Sequence, residues 1–474
     1  MLDEGVRTCR TETGLAILYP RSSTHPHPIP GTRDRLPLEP MTIDSPLEPA
    51  SLTGPGPPPA SRSLQVFFGW LTHPATPWVV VGLALLARLV FVLAIVPPRL
   101  QWADSEQYEE VGRLLYEHGT YGPQSLRAPG YPTLIAGIYH LLGPNLIGLR
   151  VVEALLSTLA VGLIGWLGSR LFGARAGIVA MALAAFHPML AFLPSTQYTE
   201  STAALVTVLI LIATFGALQR GGAWRWGVVG LLLGVQTLIR PNSIAFVPGL
   251  GLACLLLLRR ERRGWIAPAL IAGLTLVLAV TPWIVRNHSL HGQWFFISTG
   301  GGRALWLGNN PNATNDTRLD YVIDPEAREK MQTLPPYAQD RYLYGKALEF
   351  MREHPDRAAS HYARKLGNIF ALYPDPLVTT YVNPASRISQ GAASLVLFLG
   401  LLLALRHLRA EPRLWPLALG SLTFVLATAL AFSNLRYRML VEPALILMAG
   451  FGYARWIEGR RLDRGGPGRA ASAS

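Results

Sequence analysis

The stretch WVVVGLALLARLVFVLAIVP, residues 78–97, decides the fold class. Its only charged residue is Arg88, and a helix needs about 20 apolar residues to cross the hydrocarbon core of a bilayer. Similar apolar runs recur along the chain, at about 147–168, 176–193, 199–218, 226–240, 243–258, 265–285, 388–406, 413–432 and 438–456. With the first run at about 76–97, they predict an all-α polytopic membrane protein with a bundle of about ten transmembrane helices.

The composition supports a membrane protein and argues against a nucleic-acid partner. Half of the residues are hydrophobic, 15% are charged, and the mean hydropathy is +0.28. The net charge of +13 is compatible with nucleic-acid binding in principle. However, the basic residues form short clusters between apolar runs, which is typical of residues that orient a protein in a membrane. We therefore expect membrane lipid, and no nucleic acid, as a partner.

The short apolar run at 131–142 determines the predicted topology. It has only about a dozen residues and lies between Pro132 and Gly143-Pro144, which is short for a span. If it does not cross, the basic cluster at 259–263 and most other arginines between spans lie in the cytoplasm, as the positive-inside rule requires. If it does cross, they lie outside. We therefore predict an interfacial or re-entrant helix, with both termini in the cytoplasm.

The protein is predicted to lie in the cytoplasmic (inner or plasma) membrane, and its sequence divides into five predicted regions. The first and last are polar tails, and the Pro-rich first one is expected to be disordered because it contains no apolar run of useful length. The regions are a cytoplasmic tail at 1–75, a transmembrane catalytic module at 76–286 with a first outer loop at 98–146, a mainly helical extracytoplasmic domain at 287–387, C-terminal transmembrane helices at 388–457, and a basic cytoplasmic tail at 458–474.

Two acidic residues are candidates for chemistry at the outer face. Asp104 is followed by Gln107, a spacing that fits a helix capping box, but a carboxylate there can also accept a proton from an incoming hydroxyl or amine. Glu200 stands at the head of a span, either as an exposed first-turn acid or facing a polar cavity beside Asp104. Arg88 lies mid-way along the first span, where an unpaired cation is costly, and is therefore a third candidate.

Several arginines lie at predicted outer edges of the membrane. Each one alone is often a headgroup anchor, but together with the carboxylates they suggest a phosphate-binding cavity, because guanidinium groups match phosphate oxygens in pairs. These residues are Arg127, Arg240, Arg286, Arg436 and Arg438. No Walker loop, Rossmann glycine pattern, HExxH motif or Cys/His metal spacing is present in the sequence.

The order of these motifs resembles that of the GT-C membrane glycosyltransferases, in particular the family 39 type. That type includes protein O-mannosyltransferases and lipid A aminoarabinose transferases. The resemblance extends over about 78–457 and is carried by Arg88-Leu89, the acidic motif from Asp104 to Tyr108, RAPGYP at 127–132, Thr199-Glu200, WLGNNP at 306–311, the helical stretch from Ala347 through Lys365, and Arg436-Tyr-Arg438.

The resemblance implies a GT-C-type bundle and an inverting transfer of a sugar from a polyprenyl-phosphate donor, on the outer face, to a glycan, lipid or protein acceptor. In that scheme Asp104 is the catalytic base. Residues lining the active-site cavity are Glu106, Tyr108, Glu200 and Arg88, and residues binding the donor phosphate are Arg127, Arg240, Arg436 and Arg438. Many relatives have a second acid after the first, where this chain has Ser105. No cofactor is required by the residues themselves, and the departure at Ser105 leaves a divalent metal undecided.

A transporter or flippase for a lipid-linked or anionic substrate is the alternative. It would account for Arg88 and Glu200 as polar groups within the membrane. It accounts less well for a domain of about a hundred residues at 287–387 and for an acid placed in an outer loop.

Overall fold

The computed structural model describes residues 73–100, 102–313, 325–373 and 383–464. Within these ranges all regular secondary structure is helical. The predicted tails at 1–75 and 458–474 lie mostly outside the described residues.

The N-terminal module contains ten helices. They are α1 (Thr76–Val90, continued by a π-helical turn at Phe91–Ile95), α2 (Ala103–His118), α3 (Gly130–Leu142), α4 (Leu146–Phe172), α5 (Ala174–Ala185), α6 (Pro188–Phe192, followed by a 3-10 turn at Leu193–Ser195), α7 (Thr199–Arg220), α8 (Ala223–Ile239), α9 (Phe246–Arg260, preceded by a 3-10 turn at Pro241–Ala245) and α10 (Ile266–His291).

The next four helices belong to an insert domain, which we define as residues 292–383. They are α11 (Gly301–Gly308), α12 (Pro325–Gln332), α13 (Pro336–Glu353) and α14 (Pro355–Ile369). The chain ends with α15 (Pro384–Leu405), α16 (Leu414–Leu430), the short α17 (Leu435–Arg438) and α18 (Glu442–Arg464). Because α10 runs on to His291, the insert domain begins a few residues after the predicted boundary.

The ten predicted spans all coincide with helical segments, and the chain is an all-α polytopic membrane protein. Six helical segments of the described chain are long and apolar enough to cross a membrane, and the bent pair α5/α6 would make a seventh. Helices α8 and α16 have 17 residues each, the lower end of what a span needs. Helix α18 has Glu442 in its first turn and basic residues in its last part.

Helix α3 coincides with the run predicted to be interfacial or re-entrant. At 13 residues it is about 20 Å long, which is too short to cross the hydrocarbon core. It packs against α2 and the start of α4 through a cluster that includes Tyr131, Ile135, Tyr139 and Leu149. Both α2 and α3 are therefore placed beside the bundle, where they carry part of the candidate site.

The span predicted at 176–193 is broken, and Arg88 lies at the break. Helices α5 and α6 are bent by 60° on either side of His187, where Pro188 supplies no backbone N–H. The buried Arg88 guanidinium donates to Ser157 Oγ at 2.8 Å and reaches the carbonyl oxygens of Ala184 and Ala185, which the break leaves without helical partners. Arg88 thus supplies hydrogen-bond donors to the free carbonyl groups at the C-terminal end of α5.

Candidate active site

The two predicted acids and three of the predicted arginines form one continuous row of ion pairs. Arg127 Nη2 lies 2.5 Å from Asp104 Oδ1, and Arg436 Nη2 lies 3.1 Å from Asp104 Oδ2. Glu200 Oε1 lies 2.8 Å from Arg436 Nε and 2.7 Å from Arg240 Nη1. The charges therefore alternate from arginine to acid to arginine, with Arg436 in the centre and one positive charge in excess. We call these five residues the charged row.

Five separate parts of the chain supply the charged row. Asp104 lies in the first turn of α2, Arg127 precedes α3, and Glu200 opens α7. Arg240 lies between α8 and the 3-10 turn that precedes α9, and Arg436 lies in α17. The break at Pro241 matters because it ends α8 at Ile239 and leaves Arg240 in an extended conformation.

Asp104 pairs with arginines and does not cap its helix. The N-cap of α2 is Trp102, with no side-chain capping bond, so the capping-box interpretation is wrong. Gln107 instead accepts a hydrogen bond from Arg127 Nε at 2.9 Å. Burial by itself would raise the pKa of the Asp104 carboxyl, but the charges of Arg436 and Arg127 outweigh burial and hold that pKa well below its usual range.

Glu200 is buried, so the interpretation as an exposed first-turn acid is wrong. Its side chain is 2% exposed, against 34% for Asp104. Thr199, its neighbour, accepts a hydrogen bond from Arg240 Nη1 at 3.1 Å. The contacts from Arg436 and Arg240 to Glu200 Oε1 have the distance of ion pairs without the alignment of hydrogen bonds. Asp104 is therefore the more accessible of the two acids, and Glu200 contacts Arg240 and Arg436 from the buried side.

Each guanidinium of the charged row lies over a tyrosine ring. The distance from Cζ to the ring centroid is 4.8 Å for Arg127 over Tyr108, 4.2 Å for Arg436 over Tyr198, and 4.8 Å for Arg240 over Tyr437. Cation–π contacts orient a guanidinium while leaving its edge free to donate. Tyr108 was predicted, whereas Tyr198 and Tyr437 were not. Only their positions in the sequence could have indicated them, because Tyr198 lies two residues before Glu200 and Tyr437 directly follows Arg436.

The turn before α7 fixes Tyr198 and Glu200 against α2. The buried Ser105 hydroxyl donates a hydrogen bond to the carbonyl of Thr196, and Arg150 donates to Gln197 Oε1 at 3.2 Å. Gln197 has φ of 54°, a left-handed conformation that costs a non-glycine residue about 1–3 kcal/mol and persists only where its surroundings hold it. Ser105 therefore has a structural role in this chain.

Four of the residues named as candidates from the sequence lie outside the charged row. Glu106 is exposed and lies on a different side of α2 from Asp104, because residues i and i+2 of a helix do not face the same side. Arg88 satisfies the break in α5/α6, as described above. Arg438 is fully buried and forms an ion pair with Glu442, whose carboxylate also lies 2.9 Å from His187 Nε2. Arg286, which lies at a predicted outer edge, donates to the carbonyl of Gly122.

The structure separates Arg438 from Arg436 because they are two positions apart on one helical turn. Replacing Arg438 with methionine is expected to lower the free energy of unfolding by about 3–5 kcal/mol, since it leaves Glu442 buried beside His187 alone. A lower melting temperature of the purified protein would measure this. Arg438→Met with Glu442→Gln should recover part of the loss. An unchanged melting temperature with weakened binding of polyprenyl phosphate would contradict this structural role and support Arg438 as a phosphate-binding residue.

The described residues do not fit a resident metal ion. No group of three His, Cys, Asp or Glu side chains with metal-binding geometry occurs in the described ranges. The two acids of the charged row are each paired with two arginines, and three guanidinium groups oppose the binding of a divalent cation. The row is instead suited to an anion, because its excess charge is positive and its donors are guanidinium N–H groups.

Part of the chain is similar to a known protein family. Residues 126–285 match the family model described as dolichyl-phosphate-mannose-protein mannosyltransferase. The GT-C glycosyltransferase resemblance is confirmed. The matched segment covers roughly a third of the chain and contains Arg127, Glu200 and Arg240 of the charged row.

Two solved structures have a remote overall similarity to the chain. ArnT from Cupriavidus metallidurans bound to undecaprenyl phosphate is 19% identical, with a TM-score of 0.40 over 82% of this chain and 80% of that one. The archaeal oligosaccharyltransferase AglB from Archaeoglobus fulgidus, in complex with an inhibitory peptide and a dolichol-phosphate, is 13% identical, with a TM-score of 0.48 over 84% of this chain and 52% of that one. Both likenesses are remote. None of the curated proteins compared with the chain matches its sequence.

Proposed function

We propose that the chain is an inverting glycosyltransferase that moves a sugar from a polyprenyl-phosphate donor to an acceptor at the outer face of the cytoplasmic membrane. The observation that carries this proposal is the charged row, in which an accessible carboxylate, Asp104, shares Arg436 with a buried one, Glu200. The description of the matching family, which names a dolichyl-phosphate-linked mannose, supports a donor of this chemical class. The acceptor is a glycan, a lipid or a protein.

In the proposed reaction Asp104 accepts the proton of the acceptor hydroxyl or amine. The freed lone pair attacks the anomeric carbon of the sugar, and the bond between that carbon and the phosphate oxygen breaks. Polyprenyl phosphate leaves with an additional negative charge, which Arg127, Arg240 and Arg436 stabilise as it develops. The proton held by Asp104 then passes to solvent or to the leaving phosphate. Attack from the face opposite the phosphate gives inversion.

Donor binding would also make the Asp104 carboxylate a stronger base. With both arginines in place the pKa of Asp104 is well below its usual range, which makes the carboxylate a weak base. A donor phosphate that shares Arg127 and Arg436 would withdraw part of their charge from Asp104 and add its own negative charge nearby. Both changes raise the pKa of Asp104. We therefore propose that the base becomes effective only when the donor is bound.

The activity test is a transfer assay with the purified protein in phospholipid nanodiscs. A polyprenyl-phosphate sugar with a radiolabelled sugar is incubated with membrane extract as acceptor source, and label in the acceptor fraction is measured. Label that moves with formation of a new glycosidic bond supports the proposal. In proteoliposomes, movement of the intact lipid across the bilayer without a new bond would support the transporter or flippase and contradict the transferase.

The proposed sidedness predicts which surfaces a reagent reaches. In a chain in which Cys9 and Cys254 are replaced by serine, a cysteine at the exposed Thr120, after α2, should react with a membrane-impermeant maleimide in spheroplasts. A cysteine at the exposed Ala410, between α15 and α16, should react only after permeabilisation. The reverse pattern would place Asp104 in the cytoplasm and would contradict the proposed location of the reaction.

A further inference from the structure

The segment 430–434, which joins α16 to the helical turn carrying Arg436, is enclosed by the insert domain. Gly308 of α11 approaches the carbonyl of Ala431 so closely that a Cβ atom at position 308 would clash with it. Phe432 is buried in a hydrophobic cluster formed mainly by the insert domain. The other members of that cluster include Trp306, Leu307, Leu343, Ala347 and Phe350. The segment's backbone and side chain are therefore both held from the insert-domain side.

Hydrogen bonds from Lys365 of α14 join this segment to the insert domain. Lys365 Nζ donates to the carbonyl of Leu430 at 3.1 Å and to Asn309 Oδ1 at 3.0 Å. Asn309 Nδ2 donates to the same Leu430 carbonyl at 2.8 Å, and Ser433 Oγ donates to the carbonyl of Lys365 at 2.8 Å. We call Asn309, Lys365, Leu430 and Ser433 the clasp. It fixes the segment at two points, Leu430 and Ser433.

The position of Lys365 is not explained by an ordinary ion pair. Its side chain is buried, and among the ion pairs of the described residues none involves Lys365. Lysine is seldom fully buried unless it is paired. Here the amine lies instead at the C-terminus of α16, where the last carbonyls lack helical partners and the helix dipole favours a cation. A cationic group thus secures the end of the helix that leads to Arg436.

The clasp is close in sequence and in structure to the centre of the charged row. Asn434 directly follows Ser433, and its side-chain oxygen accepts a hydrogen bond from the backbone N–H of Arg436 at 3.0 Å. Arg436 then contacts both Asp104 and Glu200. We propose that Lys365 is a positioning residue that holds the 430–434 segment in place, so that the insert domain sets the position of Arg436 and with it the affinity for the donor phosphate.

The donor-phosphate part of this inference rests on the proposed function, whereas the link from Lys365 to Arg436 does not. Lys365 does not contact the charged row, so it acts through the segment. Its charged and titratable neighbours are His361 and Arg364, both on α14, and α16 contains no titratable residue. Burial, together with the charge of Arg364, lowers the pKa of Lys365 to about 8. Its positive charge is therefore lost not far above neutral pH.

The test compares Lys365→Met with Lys365→Arg in the full-length protein in nanodiscs. Lys346→Met is the matched control, since Lys346 is a partly exposed lysine of the same domain that pairs with Glu349. The first readout is amide hydrogen exchange of peptides covering 431–437. The second is the dissociation constant for undecaprenyl phosphate. Lys365→Met should speed exchange in those peptides and weaken binding about tenfold, because small misplacement of a binding group is costly. Lys365→Arg and Lys346→Met should change neither by more than about twofold.

The pH profile separates positioning by the charge from simple packing. Binding by the wild type should weaken above about pH 8, where Lys365 loses its proton, whereas Lys365→Arg should hold its affinity because arginine stays charged. If Lys365→Met proves unstable, Ser433→Ala opens the clasp from its other side and should give the same change in exchange. Unchanged exchange and affinity in both variants would overturn the inference. Faster exchange in a protein whose wild type binds no undecaprenyl phosphate would contradict the proposed function alone.

Discussion

Sugar transfer by the Asp104→Asn variant is expected to fall by about 10²–10⁴-fold, the range that positioned general bases contribute. Asparagine has nearly the same shape, and its one side-chain oxygen can still accept a hydrogen bond from Arg127 or Arg436, but it cannot take a proton from the acceptor. The measurement is the rate of radiolabel transfer at saturating donor. Affinity for undecaprenyl phosphate should be kept or improved, because the substitution removes a negative charge that competes for the two arginines.

The matched control for Asp104 is Glu106→Gln. Glu106 lies two residues later on the same helix and is exposed, away from the charged row. It loses a carboxylate in the same way, so the effect of lowering the local negative charge is reproduced without touching the site. We expect transfer within about twofold of the wild type. Transfer that survives Asp104→Asn, or that falls equally in Glu106→Gln, would remove Asp104 as the base.

Replacing Arg436 with alanine is expected to lower kcat/KM for the donor by about 10²–10³-fold. Arg436 is the only residue of the charged row that contacts both acids, so its loss leaves Asp104 with Arg127 alone and Glu200 with Arg240 alone. It also removes a donor that would stabilise the leaving phosphate, an effect of about 3–4 kcal/mol in comparable sites. The steady-state donor dependence of transfer measures the effect.

Two further variants make the Arg436 result specific. Arg436→Lys keeps the charge but cannot bridge two carboxylates with a planar fork, so we expect it to recover only part of the activity. Arg286→Ala removes an arginine that lies outside the charged row and donates to a backbone carbonyl, and transfer should stay within about threefold of wild type. Full activity in Arg436→Ala would show that the leaving phosphate lies elsewhere.

Much of the fold could be predicted because it depends on local composition. Each predicted apolar run is a helix, since backbone groups in lipid must be satisfied within the segment itself. The exception is instructive. The run at 176–193 has suitable composition, yet Pro188 breaks it, and the break is tolerated because Arg88 from another helix reaches the freed carbonyls. No sequence pattern within 176–193 predicts that Arg88 is the partner of these carbonyls.

The candidate site was predicted in part. Asp104, Glu200, Arg127, Arg240 and Arg436 were all named, because charged residues at the ends of apolar helices are few. Which acid pairs with which arginine could not be predicted from the sequence. The spacing of Asp104 and Gln107 favoured a residue that caps its own helix, and Arg436, which is 332 residues away, supplies a contact that the sequence does not predict. Tyr198 and Tyr437 were missed because a tyrosine at a membrane edge is ordinarily an interfacial anchor.

Local composition is enough to predict a polytopic helical membrane protein with acids and arginines at the ends of its helices. Apolar length and charge position are properties of single segments, and lipid imposes the same rule on each of them. Which of these residues act together depends on the tertiary structure. Arg436 joins the charged row and Arg438 pairs with Glu442, because a helical turn directs neighbours two positions apart to different sides. Ion pairs between distant segments depend on how helices pack, and helix packing is not encoded in any one segment.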